Sequence, residues 1–195
     1  PYEVLCTRWL PYQDVRKLKQ IEEMVELYYN SGQFKHTLRF LEKEFETSFD
    51  MYRKLAKFYE KKGYFKENPS RIHRYEVLLS FVEEKIPDKT SLFAQLLTLD
   101  VYARENSKSR PAFAKALLPF RELTLRFYQE EEKAPKFLTG YQKADARQMA
   151  RMTHIEVFTF DVEGTGEELS QPTYLLFDYQ DRNPLSKEAK MHWIL

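Results

Sequence analysis

The stretch Leu92–Ala103, with the sequence LFAQLLTLDVYA, is apolar almost all the way round the helix that its composition predicts. A helix that lacks a polar face is buried in a globular protein, so we expect this segment at the centre of the fold. Asp100 is its one charged residue, and a buried acid requires a partner. Arg104 lies one helical turn further on, and we favour a structural pair between these two side chains over a functional acid.

Four amphipathic helices are predicted upstream of this segment. Their apolar residues recur at spacings of three and four, which places them on one face of a helix. Only short breaks separate the helices, as is typical of a helical body. The four apolar stripes are Val15, Leu18, Ile21, Val25 and Tyr28; Phe34, Leu38, Leu41 and Phe45; Phe49, Tyr52, Leu55 and Tyr59; and Ile72, Tyr75, Leu79, Val82 and Ile86.

Residues with special backbone preferences mark the expected ends of these helices. Asp14 is predicted to cap the first helix, and Asn68 and Pro69 are predicted to begin the fourth as its N-cap and first helical residue. Gly32 and Gly63 each follow an apolar stripe. Glycine commonly ends a helix there, because it adopts the left-handed conformation without a side-chain clash.

The region after Ala103 begins with a polar break at residues 106–111. A last helical stretch follows and runs to the acidic residues 130–132. Pro119 interrupts this stretch and is expected to kink or split it, because proline lacks a backbone N–H and clashes with the preceding turn.

The C-terminal part has the composition of β-strands. The segments His154–Val162 and Thr173–Tyr179 are rich in β-branched and aromatic residues, and a third short strand is expected at Ala189–Ile194. We therefore predict a mainly α fold of the α+β class. A multi-helix body occupies residues 1–134, and residues 150–195 contain a small antiparallel β-hairpin or three-stranded sheet.

Composition excludes several classes of protein. The charges are balanced, with 31 basic and 30 acidic residues, so no global field attracts nucleic acid or an anionic membrane. No apolar run approaches the ~20 residues of a membrane-spanning helix. The single cysteine, Cys6, excludes a disulfide scaffold and favours a reducing compartment, and we predict a cytoplasmic location.

Few residue patterns suggest chemistry. His154 and Glu156 form an H-x-E pattern that begins the metal site of zinc deaminases, but the required P-C-x-x-C is missing, so we favour a partly exposed strand pair. Asp161 and Asp178 come near the ends of two predicted strands and could approach each other as paired carboxylates. With Arg182 close by, we favour an ion pair or a turn for them.

Phosphate-binding and nucleophilic motifs are also weak. The stretch 164–166 (Gly-Thr-Gly) lacks the third glycine and the following helix of a dinucleotide-binding loop. Cys6 has no evident base nearby in the sequence. We predict no catalytic, cofactor-binding or metal-binding residues in this chain.

Two aromatic stretches raise the question of a binding surface. Residues 58–66, FYEKKGYFK, interleave aromatic rings with lysines and could stack bases and hold phosphates. The same rings fall at helix-core spacing, and we favour the core. The stretch 27–34, LYYNSGQF, is read as the joint between two packed helices, with a binding surface as the alternative.

Two segments carry a resemblance to a known family. PYEVLCTRWLPYQDVRKLKQIEEMVELYYNSGQF, residues 1–34, resembles the segment that follows the catalytic barrel in cobalamin-binding radical SAM proteins. YLLFDYQDRNPLSKEA, residues 174–189, resembles the end of the same proteins. The chain is therefore similar over its whole length to their C-terminal domain of unknown function, and we expect residues 1–195 to be a single accessory domain, a fragment of a longer protein.

The resemblance implies a parent enzyme, either a radical SAM oxidoreductase or a methyltransferase. Such a parent uses a 4Fe–4S cluster on a C-x-x-x-C-x-x-C motif, S-adenosylmethionine and cobalamin, and the partners of this domain would be the barrel and the cobalamin-binding domain of the same chain. No residue that binds these cofactors can be carried over to this sequence. We hypothesise a non-catalytic domain that covers the barrel active site or contacts the substrate.

Two other hypotheses stay open. The chain could be a helical module that binds another protein or RNA through its aromatic and basic positions. It could also be an independent hydrolase that uses Asp100 or the pair Asp161 and Asp178, which is the hypothesis we rank last.

Overall fold

The computed structural model describes residues 8, 9 and 11–194. Within these residues the chain forms eight α-helices and a three-stranded antiparallel sheet at its C-terminal end, so the predicted α+β class is confirmed. Two compact units divide the chain, Pro1–Asp88 and Lys89–Leu195. None of the described helices combines the length and apolar character needed to span a bilayer.

The first unit is helical. Its helices are α1 Tyr12–Met24, α2 Lys35–Leu41, α3 Ser48–Lys62, α4 Tyr64–Glu67 and α5 Arg71–Lys85, with a π-helical segment at Val25–Asn30. Most stripe residues are buried as predicted. Leu18 and Phe49 are exceptions, with 45% and 55% of their surface exposed, and Met24 and Met51 are buried at 0% exposure in the same helices.

The two predicted N-caps in this unit are wrong. Pro11 precedes α1, so Asp14 lies inside the first turn, where it accepts a 3.0 Å hydrogen bond from Lys17. Asn68 has a left-handed φ of 46° and ends α4, a conformation that the short polar side chain of asparagine tolerates. Ser70 caps α5 instead, accepting from the backbone N–H of His73.

The LYYNSGQF stretch is a joint between packed helices. Tyr28 is fully buried, and its hydroxyl lies 2.5 Å from that of Tyr59. The ring of Phe34 lies 4.8 Å from Tyr28 and 4.4 Å from Tyr75. Gly32 has a φ of 62°, so it makes the left-handed turn that the sequence predicts.

The second unit places the sheet between helices. It contains α6 Thr90–Arg104, α7 Arg121–Lys133 and α8 Ala146–Met152, followed by β1 Thr153–Phe160, β2 Glu168–Arg182 and β3 Ala189–Trp193. The strand order is β1-β2-β3, and all three predicted strands are confirmed. Pro119 does not split a helix, because a short 3-10 turn at Leu118–Phe120 leads directly into α7.

Side chains alternate between the two faces of this sheet, as the strand geometry requires. On one face Ile155, Val157 and Leu176 join a core cluster with Tyr128 of α7 and Met149 of α8.

The other face of the sheet packs on α6, which is the LFAQLLTLDVYA helix. Tyr102 stacks on His154, and the hydroxyl of Tyr179 donates to the Tyr102 carbonyl at 2.8 Å. Eleven residues of α6 are buried, so its predicted central position is confirmed.

Gly63 ends α3 in the left-handed conformation, so its substitution tests whether that helix end requires glycine. Its φ is +81°, and a Cβ at this position would meet no atom within 4 Å, so backbone conformation alone should oppose a side chain. We expect Gly63→Ala to lower the free energy of unfolding by about 1–2 kcal/mol, measured by urea denaturation. Gly140→Ala is the matched control, because Gly140 also has open space around a Cβ but no positive φ. Equal losses in the two variants would contradict this explanation.

Candidate functional site

Glu156 on β1 is 1% exposed, yet its carboxylate is fully partnered. Two guanidinium nitrogens of Arg110 donate to it at 2.9 Å and 2.7 Å, and Nε2 of His154 lies 3.0 Å from Oε2. The His154 ring in turn stacks on Tyr102, with ring centroids 3.7 Å apart. The H-x-E pattern is therefore part of a buried ion cluster.

The two main charges of this cluster stabilise each other. Burial by itself would raise the pKa of Glu156, but the hydrogen bonds from His154 and Arg110 outweigh it and hold that pKa below its usual range. Burial likewise opposes the charge of Arg110, whose pKa is nevertheless raised by the bond to Glu156. Both groups are charged at neutral pH as a result.

The expectation of a partly exposed strand pair is wrong for Glu156, because Arg110 neutralises the carboxylate and permits its burial. Among the residues that the structure describes, no group of three or more His, Cys, Asp or Glu side chains is placed to hold a metal ion. Cys6 lies outside the described residues.

Arg110 also fixes the polar break that follows α6. Its guanidinium donates to the carbonyl of Lys115 at 2.9 Å, and Nζ of Lys115 donates to Oγ1 of Thr159 at 3.3 Å. Asn106 donates to the carbonyl of Arg151 at 3.0 Å. Residues 105–117 are thereby held along β1, which is an edge strand with backbone groups that no neighbouring strand pairs.

Asp161 and Asp178 do not approach each other, so the paired-carboxylate alternative is wrong. In the register of β1 and β2, Thr153 pairs with Asp178 and Phe160 pairs with Glu168, so the two acids lie at opposite ends of the strand pair. The sequence shows where strands occur but not how they are aligned, which is why the pair looked plausible.

Each of these acids has its own structural role. Asp161 accepts from the backbone N–H groups of Gly164 at 2.9 Å and Thr165 at 2.8 Å, and these bonds, led by that of Thr165, lower its pKa. A Cβ on Gly164 would come within 2.3 Å of the Asp161 carboxylate, so a side chain there would displace the carboxylate from this turn. The turn interpretation of Asp161 is confirmed, and the 164–166 stretch serves this turn.

Asp178 is buried and binds within the chain. It accepts from the hydroxyl of Tyr141 and from the backbone N–H of Gln180 at 2.9 Å. Arg182 does not bind it, because its guanidinium donates to the carbonyls of Arg104 and Lys187 at 2.8 Å and 2.7 Å. Burial and the bond to Asp178 raise the pKa of Tyr141, so its hydroxyl stays protonated and donates.

The remaining candidates occupy core positions. Asp100 is 2% exposed in α6, and its pairing with Arg104 stays a prediction. In the 58–66 stretch, Phe58 and Tyr59 are 3% and 1% exposed. The rings of Tyr64 and Phe65 lie 5.5 Å and 5.4 Å from Tyr59. These rings pack on one another, as the core interpretation requires.

A groove on the surface of the second unit does not follow from the sequence. A groove of about 570 Å³ is lined by residues 140–144, Gln148, Arg151, Met152 and Gln180, and we call it the α8 groove. Its residues come from the segment before α8, from α8 itself and from the end of β2. A capping-box pattern at Asp145 and Gln148, D-x-x-Q, is the one sequence signal that would have located α8.

Glu131 fixes the segment of chain that leads to the α8 groove. Its carboxylate is 4% exposed and accepts from three consecutive backbone N–H groups, those of Lys136 at 3.1 Å, Phe137 at 3.0 Å and Leu138 at 2.8 Å. Such charge-assisted bonds satisfy both the buried acid and the turning backbone. The chain that leads into Gly140 is therefore fixed from α7.

Removal of the Glu131 carboxylate should loosen that segment. We expect Glu131→Ala to lower the free energy of unfolding by about 1–3 kcal/mol, because three backbone N–H groups, of which that of Leu138 is buried, lose their acceptor. Amide hydrogen exchange at residues 136–138 should accelerate in the same variant. Glu130→Ala, at the neighbouring exposed position, is the control and should leave these amides unchanged. Unchanged exchange in Glu131→Ala would contradict the role assigned to this carboxylate.

Truncation of Arg110 should leave the buried Glu156 carboxylate without its main partner. We expect Arg110→Ala to lower the free energy of unfolding at pH 7 by about 3–5 kcal/mol, measured by urea denaturation. Lys190→Ala is the control, since it breaks an ion pair to Asp181 in which both side chains are more than half exposed; we expect a loss of at most about 1 kcal/mol. Similar losses for the two variants would contradict the importance of burial.

The same cluster predicts a pH dependence. Because the folded-state pKa of Glu156 is lowered, its ionised form stabilises the fold above the unfolded-state pKa of about 4.3. That contribution is lost as pH falls through the folded-state value. The stability of Glu156→Gln should therefore fall less steeply below about pH 4 than that of the wild type, and parallel pH curves would contradict this sign.

Comparison with known proteins identifies a family. No curated protein matches the chain, and no solved structure matches it either. A family model described as "Protein of unknown function (DUF4080)" matches residues 1–177. The match spans most of the 195 residues and includes the first of the two segments quoted from the sequence. The chain therefore belongs to the DUF4080 family.

Proposed function

We propose that this chain is a non-catalytic accessory domain of a radical SAM enzyme of the cobalamin-binding type. Its role is to cover the active site of the barrel or to contact the substrate. The resemblance of residues 1–34 and 174–189 to such proteins supports the context.

The observation that carries the non-catalytic role is the state of the buried acids. Glu131 binds three backbone N–H groups, Glu156 binds Arg110 and His154, and Asp178 binds Tyr141 and Gln180. A general acid or base has to reach a substrate atom within hydrogen-bond distance. These carboxylates instead bind their own chain and are each less than 10% exposed, so they act as scaffold.

The cofactors of such an enzyme would be held outside this chain. A 4Fe–4S cluster on a C-x-x-x-C-x-x-C motif needs three cysteines, and the sequence contains only Cys6. The cluster, S-adenosylmethionine and cobalamin would therefore belong to the barrel and the cobalamin-binding domain. This chain would contribute surface, by excluding water from a reactive intermediate and by holding the substrate in place.

Deletion of the domain from the full-length protein tests this role. The first step is to read the residues upstream of Pro1, where we expect the C-x-x-x-C-x-x-C motif. After anaerobic reconstitution, a variant that lacks residues 1–195 should retain its cluster absorbance and still cleave S-adenosylmethionine. Its substrate turnover should fall by an order of magnitude or more, because positioning and water exclusion are lost.

Three results would overturn the proposal. One is the absence of the cysteine motif upstream. Another is unchanged turnover and substrate range in the truncated protein. Loss of cluster absorbance on truncation would mean that the domain is needed to build the cofactor site, which is a different role from the one proposed. Lys190→Ala in the full-length protein is the control for a change at an exposed surface position.

A further inference from the structure

The α8 groove presents hydrogen-bond donors and positive charge without a competing acid. Two of its lining residues, Lys143 and Arg151, are cationic, and three are neutral amides, Gln142, Gln148 and Gln180. None of the lining residues is an aspartate or glutamate. We propose that this groove binds a small organic anion, whose phosphate or carboxylate group is held by Lys143 and Arg151.

The two cations are available for a ligand. Both side chains belong to exposed residues. In the part of the chain that the structure describes, neither Lys143 nor Arg151 forms an ion pair, although surface cations elsewhere in the second unit do, such as Lys190 with Asp181 at 2.7 Å. An arginine that is not engaged with a carboxylate can bind an oxyanion through two parallel N–H bonds, and lysine adds a point charge.

Three acidic residues near the groove accept hydrogen bonds from the chain itself. Asp178 is 6% exposed and accepts from Tyr141 and Gln180. The Asp145 carboxylate accepts from the backbone N–H of Gln148 at 2.7 Å, as the cap of α8. Glu132 accepts from the backbone N–H of Ala146 at 3.2 Å. These carboxylates keep their negative charge, but they bind donors of the chain itself and none of them lines the groove.

The amides supply neutral donors beside the cations. The side-chain oxygen of Gln148 accepts from the backbone N–H of Asp145 at 3.0 Å, which leaves its NH₂ group as a donor. Gln180 directs its NH₂ group to the sulfur of Met152 at 3.6 Å, and a thioether is a weak acceptor that an oxyanion can replace.

Hydrogen bonds within the chain hold the segments that form the groove. The hydroxyl of Tyr141 donates to Asp178, and the N-terminus of α8 is capped by Asp145. The chain before Gly140 donates backbone N–H groups to Glu131. A site whose walls are fixed in advance loses little conformational entropy when a ligand binds. Its volume of about 570 Å³ has room for an organic molecule attached to the anionic group. Binding depends on these side chains and not on the proposed radical SAM context.

Isothermal titration calorimetry with ribose 5-phosphate and with citrate tests the proposal on the intact chain. We expect saturable binding of at least one of them, with a Kd below about 1 mM at low salt. Arg151→Ala and Lys143→Ala should each weaken binding by about tenfold or more, because a charge-assisted contact is lost. Gln180→Leu should weaken it by a smaller factor and leave the cations in place.

Arg147→Ala is the matched control. Arg147 is an exposed cation on the same helix but does not line the groove, so its removal lowers the net charge equally. We expect less than about a twofold change in Kd from this variant, as for screened charges at a distance. The thermal stability of all four variants should equal that of the wild type, since the substituted residues are exposed.

Two results would overturn the proposal. One is the lack of saturable binding of both compounds by a folded wild-type chain. The other is an equal loss of affinity in Arg147→Ala and Arg151→Ala, which would show attraction by net charge alone. Binding of ribose 5-phosphate without citrate identifies phosphate as the anionic group, and the reverse identifies carboxylate; either result supports the groove as an anion site.

Discussion

Burial of the Glu156 carboxylate is the constraint on which the second unit depends. A charge at 1% exposure is tolerated only where its partners are fixed, and Arg110 is the main partner. Arg110 is not part of the sheet, so the ion pair has to fix the loop at residues 105–117 along the edge of β1. The stacked ring of His154 on Tyr102 joins α6 to the same point. One buried charge thus determines the position of a helix, a loop and an edge strand.

The same principle positions the α8 groove. Glu131 collects three backbone N–H groups, and Asp178 binds Tyr141. Each carboxylate lies under a segment that would otherwise carry unsatisfied backbone donors or a buried hydroxyl, which are costly in a protein interior. The shape of the groove therefore depends on acids that do not face it. Substitution of a buried acid would be expected to alter ligand contacts at a distance, without any change in the lining residues.

Periodicity and composition make much of the fold predictable, and local chemistry makes the rest difficult. The four amphipathic helices follow from apolar spacings of three and four. The LFAQLLTLDVYA helix follows from its lack of a polar face, and the strands follow from their β-branched and aromatic residues. The position of a helix cap such as Ser70 depends on the backbone of a single turn. The residue pattern predicts Asn68 as the N-cap of α5 because it does not reveal the short helix α4 before it. The distance between Asp161 and Asp178 does not follow from the sequence, because strand alignment is set by tertiary packing. The α8 groove escaped prediction because its residues come from separate segments.

Two physically different groups of charges surround the core and the α8 groove of the second unit. Glu156, Glu131 and Asp178 are buried and occupied, and their interactions are screened only weakly by salt, whereas Lys143 and Arg151 face water, where ions within a Debye length of ~8 Å screen them. Salt therefore acts on ligand attraction at the α8 groove far more than on the framework beneath it. A scaffold of paired buried charges can in this way hold unpaired surface charges at fixed positions. The anion site proposed for the α8 groove requires this separation, because its cations have to stay accessible to a ligand while the framework holds them in place.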